Sequence, residues 1–107
     1  MIRVLKTLAK YSTDIKLLHY IILMPMEMFI RHRKASTSCM YQILKKDINI
    51  FMFEDDELIK LLQLICNIFD CPEVALAAIG EDVMCFYFEK FRKAGKIQKL
   101  FYWAQIH

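Results

Sequence analysis

The stretch EDDELIKLLQLICNIF, residues 54–69, decides the fold. At about 100° per residue, Glu57, Lys60, Gln63 and Asn67 fall on one narrow stripe of a helix. Leu58, Ile59, Leu61, Leu62, Leu64, Ile65, Ile68 and Phe69 take the rest of the circumference. A helix that apolar has to be wrapped by neighbours on several sides. Glu54, Asp55, Asp56 and Glu57 open it, where the positive end of the helix dipole favours carboxylates.

Downstream, Asp70-Cys71-Pro72-Glu73 has the pattern of a capping box with a proline in the first turn, predicting a helix over 72–79 that Gly80 ends. Glu81 and Asp82 open a further helix through Lys93, closed by Gly95. Residues 96–106 predict a last helix packed by Ile97, Leu100, Phe101 and Ala104. Upstream, residues 1–13 have helical spacing at Ile2, Leu5 and Leu8 with Arg3, Lys6 and Lys10 opposite, and Ser12 or Asp14 is placed to cap a second helix. Pro25 starts or kinks a helix over 26–33. The basic run Arg31, His32, Arg33 and Lys34, followed by Ala35-Ser36-Thr37-Ser38, predicts a solvated break before a short helix over 39–46.

These elements amount to one mainly α domain over residues 1–107, a compact bundle of five or six short helices around the apolar helix at 55–69. Two runs leave an alternative open. Residues 48–53 and 83–88, the latter VMCFYF, are rich in β-branched and aromatic residues and would give an α+β domain if they paired as two short strands.

Hydrophobic residues make up 57% of the chain, which supplies a core and leaves apolar surface to cover. The surplus predicts a homo-oligomer, a dimer by preference, or a face that binds another protein. With only Gly80 and Gly95, no glycine-rich phosphate cradle can be assembled, and no cofactor is expected. Cys39, Cys66, Cys71 and Cys85 include no CxxC pair and follow no secretory signal, so they read as reduced core cysteines of a cytoplasmic protein rather than zinc ligands. Residues 17–30 are the most hydrophobic window, but His19, Pro25 and Glu27 interrupt it, and it falls short of a membrane span.

Charge is unevenly distributed. Residues 1–46 carry nine Lys/Arg against two acids, residues 47–89 one Lys against ten acids, and residues 90–107 five Lys/Arg and no acid. Such segregation favours self-complementary packing and steers partners. The expected function is that of a small, self-associating, non-enzymatic protein that regulates or inhibits another protein by binding it. Met24, Met26, Met28 and Phe29 are one candidate contact face, since methionine adapts to irregular partners better than it marks a copper site. The acids Glu54, Asp55, Asp56 and Glu57 are the other.

The alternative is nucleic-acid binding through Lys90, Arg92, Lys93, Lys96 and Lys99 beside Tyr102 and Trp103, cations for phosphates next to rings for bases. A third reading is peripheral membrane association through the basic amphipathic residues 1–13. Catalysis has no recognisable motif around His19, His32 or His107.

Overall fold

Six α-helices and one 3-10 turn build the part of the chain that the structure, a computed structural model, describes, residues 15–106. They are α1 (Lys16–Leu23), α2 (Met26–Arg31), α3 (Arg33–Leu44), the turn at Ile50–Met52, α4 (Asp55–Phe69), α5 (Val74–Lys93) and α6 (Ile97–Ile106). The mainly α bundle is therefore the fold. The expected helix over 1–13 and its caps at Ser12 and Asp14 lie outside the described residues.

Helix α4 is the expected apolar helix. Leu58, Leu61, Leu62, Leu64, Ile65 and Ile68 are buried on it. Its start is secured by the Glu54 backbone N–H, which donates to Glu57 Oε1 at 3.1 Å. The wetted edge is wider than the polar stripe implies, since Cys66 and Phe69 are exposed along with Gln63.

The other half of the centre is α5, a single helix where the sequence predicts two. Gly80 does not end a helix; it is buried inside this one. An added Cβ at Gly80 would stand 2.6 Å from Ile68 Cγ2 and 3.2 Å from the Phe69 backbone nitrogen, so glycine is what lets α4 cross this closely. Further along, the buried Tyr87 hydroxyl donates to the Leu58 carbonyl at 2.6 Å. Positions 68 with 80 and 58 with 87 place the two helices antiparallel. Helix α5 also packs against α3 and α6. Its end follows the expected signal: Gly95 has φ +71°, Lys96 N–H bonds Phe91 O at 2.8 Å, and Gly95 N–H bonds Arg92 O at 3.1 Å, a Schellman closure.

Other expectations need correction. The runs 48–53 and 83–88 are not strands: the first is a 3-10 turn in which Phe51 N–H bonds Asn49 Oδ1 at 3.0 Å, and the second lies inside α5. Aromatic bulk at 83–91 fills the core instead of a sheet face, with Phe91 edge-on to Phe51, Tyr87 and Trp103 at ring separations of 5.0, 4.9 and 5.7 Å. The capping box at 70–73 does not form, because Asp70 closes α4 and α5 starts only at Val74. Pro25 does begin α2, but the next break falls at His32, and residues 35–38 are helical. Ser36 and Thr37 are buried there, and the Thr37 hydroxyl donates to Arg33 O at 2.6 Å. Of the cysteines only Cys39 is a core residue; Cys66 and Cys85 are exposed, Cys71 is half-buried and none forms a disulfide.

Candidate functional site

Two open grooves flank α5. The side chains that line them separate by helical angle. Met84 and Phe88 line one, while Phe86, Glu89, Lys90 and Lys93 line the other, and at about 100° per residue these sets lie on roughly opposite faces.

The first groove, about 550 Å³, is mostly apolar. Met84 and Phe88 of α5, Leu62 and Cys66 of α4, Met26 of α2 and Ala104 of α6 line it, with Gln63, Asn67 and Asp70 as its polar members. Asn67 is fixed in place: its Oδ1 accepts from Arg33 Nε at 3.1 Å, and the same guanidinium reaches Cys71 Sγ at 3.6 Å. The Cys66 thiol is pushed up from its ordinary pKa, by partial burial first and by the Asp70 carboxylate second, so it is a poor nucleophile at neutral pH.

The second groove, about 810 Å³, is cationic at its rim. Lys45, Lys46 and Lys93 line it together with Lys90 and with the apolar residues Leu44, Ile48, Phe51 and Phe86, which make its floor. Asp47 and Glu89 are its acids. Glu89 is neutralised by a two-pronged pairing with Arg92, Nε to Oε2 at 2.9 Å, which holds its carboxyl below the usual range. The Lys90 ammonium is turned inward, donating to Lys46 O at 2.9 Å and Ile48 O at 3.3 Å, and burial lowers its pKa. It ties down the chain as it leaves α3.

The residues singled out from sequence are distributed as follows. Met26 and Met28 are half-buried and Met26 lines the apolar groove, but Phe29 is fully buried and Met24 nearly so; these two are core, not contact face. Of the acids, Glu57 pairs with His19, whose ring stacks on Phe53 at 5.3 Å, and Asp55 pairs with Lys99 at 2.9 Å. The acidic start of α4 is thus largely engaged within the chain, leaving Glu54 and Asp56 on the surface. Glu57 is held below the usual carboxylate range, chiefly by the Glu54 backbone N–H and further by His19, against an opposing effect of burial.

Among the basic and aromatic residues, Trp103 is buried against Phe91, Lys96 lies over the Phe51 ring at 5.5 Å and Lys99 over Trp103 at 5.3 Å. Tyr102 is exposed, Arg92 is held by Glu89, and Lys90 and Lys93 line the cationic groove.

Sequence reasoning missed Lys45 and Lys46, which join Lys90 and Lys93 only through folding, and Leu62, Met84 and Phe88 as a shared wall. The antiparallel pairing of α4 with α5 would have brought the second set together on paper, had Gly80 been read as a crossing point.

Among the described residues no group of three His, Cys, Asp or Glu side chains is placed to hold a metal ion, and no helix is long and apolar enough to cross a membrane. Comparison with protein-family models, curated proteins and solved structures yields no match to this chain.

Proposed function

We propose that this protein is a non-enzymatic binding module that takes an amphipathic helix of a partner protein into its methionine-lined groove and regulates the partner by covering that helix. One observation supports the reading: Leu62, Met84 and Phe88 of two antiparallel helices meet Met26 and Ala104 of two others around an open volume of about 550 Å³. Binding sites of about 300–1,000 Å³ hold ligand side chains in this way, and a helix offers them at i, i+3, i+4 and i+7. Unbranched methionine side chains adjust to whatever row of leucines or phenylalanines arrives. Asp70 and the two amides at the groove favour a helix whose polar face is basic.

The test is a titration of a designed leucine–lysine amphipathic peptide and its leucine–glutamate counterpart, read by fluorescence anisotropy. A second readout is the alkylation rate of Cys66 in a Cys71→Ser/Cys85→Ser background. The lysine peptide is expected to bind more tightly and to slow alkylation of Cys66, and Met84→Glu, at a half-exposed position, is expected to lose both effects. Failure of both peptides to bind, with Cys66 alkylation unchanged, overturns the reading.

A further inference from the structure

The connection between α4 and α5 ends the molecule in an acidic, apolar tip. Phe69 is 49% and Val74 82% exposed, and Asp70, Pro72 and Glu73 between them are exposed as well. Half-buried Arg33, the cation bonded to Asn67 and Cys71, is the counter-charge there. The cationic groove is the chemical complement of this tip: lysines around a floor of Leu44, Ile48, Phe51 and Phe86. The tip adjoins the first residue of α5 and the groove is lined by the last turns of the same helix, separated by up to the ~30 Å that 20 helical residues span. One chain therefore cannot fill its own groove with its own tip.

We infer that the occupant is the tip of a second copy, so that two chains laid antiparallel along α5 each seat Phe69 and Val74 on the other's apolar floor, with Asp70 and Glu73 against Lys45 and Lys93. The two contacts are identical and reciprocal, which closes the assembly as a two-fold dimer; the same contact made only once per pair would propagate instead. A phenylalanine and a valine this exposed are covered by the pairing, and the acids meet the rim lysines. Lys45, which also lies over the Tyr41 ring at 5.2 Å, and Lys93 are exposed side chains whose reversal leaves the core untouched.

Charge exchange between the two surfaces tests the dimer. Sedimentation velocity on the full chain is expected to give twice the 12.8 kDa chain mass at low salt. The dimer should weaken as salt shortens the screening length from about 30 Å to about 3 Å. The variants Lys45→Glu/Lys93→Glu and Asp70→Lys/Glu73→Lys are each expected to dimerise at least about ten-fold more weakly, a loss equal to about 1.4 kcal/mol. In a 1:1 mixture each acidic tip again faces a basic groove and each basic tip an acidic groove, so the heterodimer should reappear. Circular dichroism of both variants establishes that each is folded before mixing. A wild-type monomer at low salt, dimers that persist in both variants, or a mixture that stays monomeric overturns the inference. So does a wild-type monomer that shifts only on addition of a single-stranded oligonucleotide, which would assign the groove to nucleic acid.

Discussion

Replacing Gly80 by alanine sets two opposing effects against each other. Inside a helix, alanine is better than glycine by about 1 kcal/mol. At this position the new methyl would meet Ile68 Cγ2 at 2.6 Å, Phe69 N at 3.2 Å and the Ile68 carbonyl carbon at 3.3 Å. Comfortable carbon–carbon contact is about 3.5–4.0 Å, so the first overlap approaches 1 Å. Ile68 is fully buried, and a β-branched side chain in a helix has essentially one χ1 rotamer, so its methyl cannot swing aside. Relief has to come from separating α4 and α5, which also stretches the 2.6 Å bond from Tyr87 to Leu58. Overpacking of this kind costs about 1–3 kcal/mol, and the rigid neighbours place Gly80→Ala at the upper end. The net expectation is a loss of about 1–2 kcal/mol, or a fall in Tm of roughly 5–15 °C for a domain near this size. Urea unfolding followed by circular dichroism measures it. Ala78→Gly, at an exposed position two residues away, is the control and should cost about 1 kcal/mol from helix propensity alone. Ile68→Leu removes the offending Cγ2, so the pair Ile68→Leu/Gly80→Ala should be less destabilised than the two single changes added together. A stabilised Gly80→Ala protein would refute the close crossing of α4 and α5.

Three further outcomes follow from polar contacts within the bundle. Tyr87→Phe should cost about 1 kcal/mol, the usual worth of a hydroxyl bond to a carbonyl. Burial pushes the Tyr87 phenol far above its ordinary value, so wild-type stability should fall as pH rises above about 10, where the unfolded chain begins to lose that proton, and the fall should be shallower in Tyr87→Phe. Lys90→Met strips the Lys46 and Ile48 carbonyls of their donor and should cost about 1–2 kcal/mol in urea unfolding, less than two fully buried charged bonds because water can reach the site. Glu57, with its folded pKa depressed, stabilises the protein above about pH 4.3 and loses that contribution as pH falls through the folded value; Glu57→Gln should be less stable at neutral pH and have a flatter acid limb, and parallel limbs would refute the Glu54–Glu57–His19 arrangement.

The elements that could be read in advance were those set by a periodic pattern or by a residue with restricted backbone chemistry. Helix α4 was legible because four polar residues at helical spacing mark its wet side, and six of the eight apolar residues on the rest of its circumference are buried. Pro25 was legible because its missing N–H cannot continue α1, and Gly95 because helix α5 has to turn left-handed to end. Gly80 was misread because the same residue type serves two purposes, terminating a helix and admitting a close neighbour, and only the partner helix distinguishes them. The aromatic run at 83–88 has the composition of a strand, and tertiary packing around Tyr87 and Phe91 overrode that preference. Exposure was the least legible property. Phe29 and Trp103 carry rings that could serve a surface or a core, and their burial depends on helices distant in the sequence.

The charge pattern has a local cause and a wider consequence, and α5 connects them. Glu73 stands at its N-cap and Lys90, Arg92 and Lys93 in its last turn, the arrangement that the helix dipole favours by about 0.3–1 kcal/mol per well-placed charge, while Glu81 and Asp82 lie in mid-helix. A long helix charged this way is polar from end to end, and the flanking elements extend the pattern: Asp70 joins the acidic end, Lys45 and Lys46 the basic one. The acids at the start of α4 lie instead beside the basic end, where Asp55 pairs with Lys99 at 2.9 Å. The apolar groove lies on the opposite face of α5 from the lysines, so a helix bound beside Met84 and Phe88 does not compete for the floor formed by Ile48, Phe51 and Phe86. Asp70 is common to the two surfaces, so a helix bound in the apolar groove and a second copy of the chain are expected to compete for its carboxylate.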